Sequence, residues 1–149
     1  MSTPTVAVTG RSPASTAVWA GLAASVLYAV AVVADRAAIG SVHARLAEVY
    51  AGYDLPWQDT EWVVVTWLGA VGVLGALGWL VTARGAARRS RWTAPAGTVL
   101  FVLGLGAAGL DLVVAEYGRT LFPTWITTLG LLPVVIGAVA TVLLWRERR

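Results

Sequence analysis

Four long apolar runs separated by short polar stretches set the pattern of this chain. Residues 14–34 hold twenty-one positions without a charge, about 30 Å of helix, which matches the core of a bilayer. Comparable runs cover 62–83, 94–115 and 122–145. The pattern predicts an all-α membrane protein, a bundle of four transmembrane helices. Residues 1–13 are rich in Ser, Thr and Pro without periodicity, and read as a disordered cytoplasmic tail ahead of a single domain over 14–149. A cleaved signal peptide is the rival reading of the first run, with Arg11 as its basic flank and Val32-Val33-Ala34 as a small-residue cleavage site. The run is longer than the roughly 7–15 residues of a signal core, so a retained helix is expected.

The one long connection, 35–61, has a pattern of its own. Ile39, Val42, Leu46, Val49, Tyr50 and Tyr53 recur at helical spacing, with Ser41, Arg45 and Glu48 opposite. That spacing predicts an additional amphipathic outer helix between the first and second spans. Gly40 is the expected break before it, and Leu55-Pro56-Trp57 the expected end. Asp59 or Thr60 can cap the second span. Glu116 to Thr120 reads as a tight turn, Pro123 suits a first helical turn, and Pro133 should kink the fourth span.

Charge orients this frame. Arg84, Arg88, Arg89 and Arg91 crowd the loop between the second and third spans. Short arginine-rich loops stay cytoplasmic, so both termini are expected inside a multi-pass protein of the cytoplasmic membrane. The same four arginines suit anionic lipid headgroups. Only 13% of residues are charged and 58% are hydrophobic, more apolar than a water-soluble domain. The pI near 10.0 would suit nucleic acid, but arginines flanking apolar runs are topology signals, and no nucleic-acid partner is expected. There is no cysteine and one histidine, which excludes disulfides, thiol chemistry and a His-cluster metal site in one chain. No phosphate loop, nucleophile elbow or zinc-protease motif occurs, and no cofactor is expected.

Candidate chemistry centres on Asp111, an acid inside the third apolar run. Intramembrane acids are costly and count as site candidates by default. Gly97, Phe101, Gly104, Ala108, Asp111 and Ala115 share one helix face, and Gly21, Ser25, Tyr28, Val32 and Asp35 share a face of the first span. Both spans run the same way, so a polar cluster is expected at the outer mouth: Tyr28, Asp35, Arg36, His43, Asp111, Glu116 and Arg119. Asp111 has two open roles there, a structural pair with Arg36 or Arg119, or a ligand, ion or proton site. Tyr28 is expected to hydrogen-bond across helices, and Trp67 and Trp79 to pack in the core. Gly69, Gly72, Gly97 and Gly104 are expected helix-packing positions, since small residues let helices approach closely in lipid. Membrane lipids are the expected surroundings, and small faces also suit homo- or hetero-oligomers.

The outer segment, the arginine hairpin around WTAPAGTVLFVLG and the short third turn together resemble the uncharacterised small four-helix integral membrane proteins of high-GC actinobacteria. That architectural resemblance covers the whole chain and implies a fold, with no activity and no site residues. Small multidrug exporters carry an acid in the middle of their first helix, where this chain has Ser25 and Tyr28. Quinone-linked thiol oxidoreductases need cysteines that are missing here. The reading that follows is a non-enzymatic accessory or interaction subunit of a membrane assembly. The alternative is a small transporter or ligand-binding protein with a polar pocket around Asp35, Tyr28 and Asp111.

Overall fold

A computed structural model describes residues 12–53 and 56–148. Four of its helices are long and apolar enough to cross a membrane. Helix α1 spans Pro13–Ala34 and runs into a π-helical turn, Asp35–Ile39. The short helix α2 is Ser41–Val49, and the remaining long helices are α3 (Gln58–Ala87), α4 (Thr93–Val113) and α5 (Thr124–Glu147). Between α4 and α5 a two-stranded antiparallel hairpin pairs β1 (Ala115–Glu116) with β2 (Arg119–Thr120). The expected tail over 1–13 lies outside the described residues except at its end. There Ser12 caps α1 by accepting from the Ser15 amide, and Pro13 takes the first helical position, where its missing N–H costs nothing. Leu55, part of the expected stop after α2, is also outside the described residues.

Boundaries differ from the sequence expectation where charges act on helix ends. Helix α3 starts at Gln58 and ends at Ala87, longer at both ends than 62–83. Asp59 and Glu61 stand in its first turn and Arg84 in its last, each favourable to the helix dipole. Trp57 occupies the cap position without a side-chain bond, so neither Asp59 nor Thr60 serves as the cap. Helix α4 stops at Val113, two residues before Ala115, because Val114 is extended (ψ 112°) and begins the hairpin. The hairpin turns at Tyr117 (φ 51°) and Gly118 (φ 77°), the doubly left-handed turn that two-residue hairpins favour. Gly40, at φ 69°, separates the π turn from α2. Pro133 lies inside α5 and leaves the Leu129 carbonyl without its helical amide partner.

Each long helix packs on two others: α1 on α3 and α5, and α4 on α5 and, less extensively, on α3. Glycines set these approaches by admitting aromatic rings. The Trp79 ring lies where a Cβ on Gly21 of α1 would sit 2.7 Å from it, and it also faces Gly137 of α5. The Tyr28 ring fills the corresponding place between Gly72 of α3 and Gly130 of α5. Gly97 meets Leu144, whose Cδ1 would stand 2.8 Å from an added Cβ, and Gly104 faces Val134 more loosely. Gly69 differs from the expected packing role: an added Cβ there meets nothing within 4 Å. Ser12 and the Ala14 amide both bond the Glu147 carboxylate, at 3.0 and 3.1 Å, which ties the start of α1 to the end of α5.

These contacts separate two glycines of one helix. At Gly72 an added Cβ would stand 3.0 Å from the Ala29 backbone, and backbone cannot move aside as a side chain can. Gly72→Val should destabilise the protein by about 1–3 kcal/mol, whereas Gly69→Ala should leave stability within about 0.5 kcal/mol of the parent. Unfolding midpoints in mild detergent measure both.

Candidate functional site

The expected cluster of seven residues resolves into two unlike places. Asp35, Arg36, His43, Glu116 and Arg119 work around α2, at the end of the molecule opposite the arginine loop. Tyr28 and Asp111 lie among the long helices.

Around α2 the polar side chains act as fasteners. Asp35 is buried, and its carboxylate accepts from the Ser41 amide at 3.0 Å, the Val42 amide at 3.1 Å and the Ser41 hydroxyl. A carboxylate on the open amides of a helix N-terminus is favourable through both hydrogen bonding and the dipole. Asp35 therefore caps α2 and is not part of a pocket with Asp111. Glu61 of α3 receives His43 Nδ1 at 3.0 Å and Arg36 at 3.8 Å. Arg119 bonds Glu48 at 2.6 Å, and Arg45 bonds both Glu48 and the Thr120 carbonyl. Tyr50 donates to Glu116, and Tyr53 stacks on Tyr117 with ring centres 3.9 Å apart. Trp125 Nε1 donates to the Ser41 hydroxyl at 2.8 Å. Helix α2 is thus held to α3, the hairpin and α5, over an apolar cluster of Val42, Leu46, Val49, Tyr50, Val64, Leu68 and Phe122.

Among the long helices the arrangement is different. Helices α3 and α4 approach where Leu100 meets Gly78. They meet again where Trp67 Nε1 donates to Asp111 Oδ1 at 2.8 Å. Between these two points lies a cavity of about 320 Å³. Its walls include Ser25 and Tyr28 from α1, Trp67, Gly75 and Trp79 from α3, Phe101, Gly104, Ala107 and Asp111 from α4, and Pro133 from α5. Leu74 and Leu103 also line it, and both are about two-thirds exposed on the outer surface. The cavity therefore opens sideways between α3 and α4, toward the surface that lipid would cover.

Besides the Trp67 indole, three polar side chains line this apolar space: Ser25, Tyr28 and Asp111. Asp111 is 4% exposed, and its partner is the Trp67 indole. The expected pairing with Arg36 or Arg119 does not form, because those arginines are engaged by Glu61 and Glu48. Tyr28 is 2% exposed, and its hydroxyl is the buried side-chain atom without a hydrogen-bond partner among the described residues. The expected cross-helix bond from Tyr28 is absent. An unpaired buried hydroxyl costs about 1–3 kcal/mol.

Sequence reasoning placed Trp67 in the core but missed its role as the donor to Asp111. The signal was available: an indole N–H deep in an apolar run has no lipid acceptor, and Asp111 is the acid within a neighbouring run. The contributions of Trp79, Phe101 and Ser25 to one cavity depend on helix neighbours and had no local signal. No family model, curated protein or solved structure matches this chain.

The Trp67–Asp111 bond predicts a thermodynamic coupling. Trp67→Phe and Asp111→Leu should each lower stability by about 1–3 kcal/mol, and the double variant should cost less than their sum. Asp111→Asn keeps an oxygen for the indole and should retain most of the stability. Unfolding titrations of the four proteins read the cycle directly.

Burial first, and then the hydrogen bond to Glu116, push the Tyr50 phenol above the ordinary tyrosine value. The folded state therefore holds this proton more tightly than the unfolded chain. The resulting stability is complete below the unfolded tyrosine range and declines as pH rises through the raised value. Tyr50→Phe should flatten that alkaline decline, as followed by thermal unfolding between neutral and strongly alkaline buffer.

Proposed function

We propose that this chain is a non-enzymatic binding protein of the cytoplasmic membrane that holds a small apolar molecule within the bilayer. The observation that carries this reading is the sideways-opening cavity with the unpartnered Tyr28 hydroxyl on its wall. Ligand sites are typically concave and mostly apolar, with a few convergent polar groups, and begin near 300 Å³. A dry cavity of about 150 Å³ already binds benzene, so this one has room for a body of roughly twice that size. The four long helices form the transmembrane bundle, and α2 with the hairpin closes its outer mouth. Both termini are cytoplasmic, a reading supported by Arg84, Arg88, Arg89 and Arg91 in the α3–α4 loop and the positive-inside rule. Single cysteines introduced at residue 52 and residue 90 of this cysteine-free chain report the sidedness. Labelling of residue 52 from the cytoplasm would reverse it.

A second reading, an accessory subunit of a membrane assembly, has one observation in its favour. Gly106 and Gly109 of α4 face open space, which would let another helix approach closely. Stable co-purification of one partner in gentle detergent, lost in Gly106→Leu, would support it.

The binding reading is tested on the purified full chain in phosphatidylcholine nanodiscs. A neutral probe, cyclohexylmethanol, should bind saturably by calorimetry after subtraction of protein-free discs. Gly104→Leu directs its side chain into the cavity, since an added Cβ there meets only Val134, at 3.8 Å. It should abolish that binding while leaving thermal stability at or above the parent. Binding unchanged in this variant would sink the proposal.

A further inference from the structure

The chemistry of the cavity wall narrows what it holds. We propose that the site takes a lipophilic amine in its protonated form: an apolar body of small-molecule size bearing an ammonium group with at least two N–H donors. This inference rests on the binding reading above and adds the class of ligand.

Asp111 is buried in the cavity wall, and its Oδ1 accepts from Trp67. Its Oδ2 accepts no hydrogen bond from the described residues, so acceptor capacity remains on the cavity side. No arginine or histidine lines the cavity, and no salt bridge to Asp111 occurs among the described residues. A carboxylate in an apolar enclosure lacks the cation that would ordinarily accompany it. An ammonium group supplies both the missing charge and the donor, through a charge-assisted bond stronger than a neutral hydroxyl can make.

The remaining walls favour the same ligand. Tyr28 and Trp67 stand at the Asp111 end of the space, and Trp79 and Phe101 line its other end, where the hydrocarbon body lies. Aromatic faces attract cations, most strongly when water is excluded. The unpartnered Tyr28 oxygen can accept a second N–H, which relieves the buried polar atom that the protein leaves unpaired. The apolar remainder of the wall takes the ligand's hydrocarbon body. Access comes from the side between Leu74 and Leu103, so the ligand partitions into the bilayer first and enters from there.

The test compares two probes that share one body. Cyclohexylmethylamine and cyclohexylmethanol differ only in carrying an ammonium or a hydroxyl group at neutral pH. Each is titrated into the full chain in phosphatidylcholine nanodiscs, with protein-free discs subtracted. The amine should bind about tenfold or more tightly than the alcohol. In Asp111→Asn, which keeps the acceptor for Trp67, the ratio should fall to about one through loss of amine affinity alone. The wild-type comparison stands without any variant, so a misfolded variant does not rescue the idea. Equal affinities in the wild-type protein, with both probes displaced in Gly104→Leu, would overturn the amine and leave the binding reading intact. Failure of both probes to bind would overturn the binding reading and this inference with it.

Discussion

Everything in this molecule depends on aromatic rings lying where glycine has left room for them. In lipid there is no water to expel from between helices, so close packing and interhelical hydrogen bonds must hold them together. Trp79 of α3 reaches over Gly21 of α1 and Gly137 of α5, and Tyr28 of α1 lies between Gly72 of α3 and Gly130 of α5. Each ring thus meets two helices besides its own. The two aromatics sit about two turns apart along their shared interface, since Gly21 and Tyr28 are both on α1. They fix three helices relative to one another through contacts that a single methyl group would disturb.

Helix α4 is outside that arrangement, and its position explains the cavity. It packs on α5 through Gly97 against Leu144, but its approach to α3 is made at separated points. The Leu100–Gly78 contact closes one end and the Trp67–Asp111 bond closes the other. Between them the lining residues are small: Gly75 of α3, and Gly104, Ala107 and Ala108 of α4. Small residues usually draw helices together, yet here the two closure points hold them apart and the missing side chains become empty volume. The space is therefore a property of α4's placement and not a defect in the packing of α1, α3 and α5.

Much of this was legible in the sequence, and the reasons are physical. Apolar runs of bilayer length announce the four long helices because few other structures need them. The small face of α4 correctly aimed Asp111 inward, since a 3.6-residue period fixes which residues share a face. Gly40 was legible as a break because its left-handed backbone favours glycine. The partners of the polar residues were not legible, because they are settled by neighbours distant in the chain. Asp35 shares the face of Tyr28 on a helical projection, but the π turn after Ala34 redirects the chain and sets its carboxylate on the amides of Ser41 and Val42. Arg36 and Arg119 looked like counter-charges for Asp111 because the sequence gives sign and depth but not the competition. Glu61 and Glu48 are the acceptors these arginines reach while their own side chains stay about half exposed, so each pair costs less desolvation than one drawn onto Asp111.

That competition bears on why Asp111 is left with an indole alone. An arginine that reached it would have to leave the polar layer around α2, where the hairpin and α3 already supply acceptors. Trp67 needs no such excursion, because it sits beside Asp111 on the adjacent helix and donates its one N–H there. The pairing satisfies the indole completely, since it has a single N–H, but it satisfies the carboxylate only in part, since that group can accept about four. The unmet capacity faces the cavity, beside a phenol that also lacks a partner among the described residues. If these groups served only to join helices, the economical arrangement would be a bond between them or a closed interface. Instead the fold holds α3 and α4 apart beside Asp111 and Tyr28, with Trp67 at that end of the space and Trp79 and Phe101 at the other, and leaves a lateral opening to reach them.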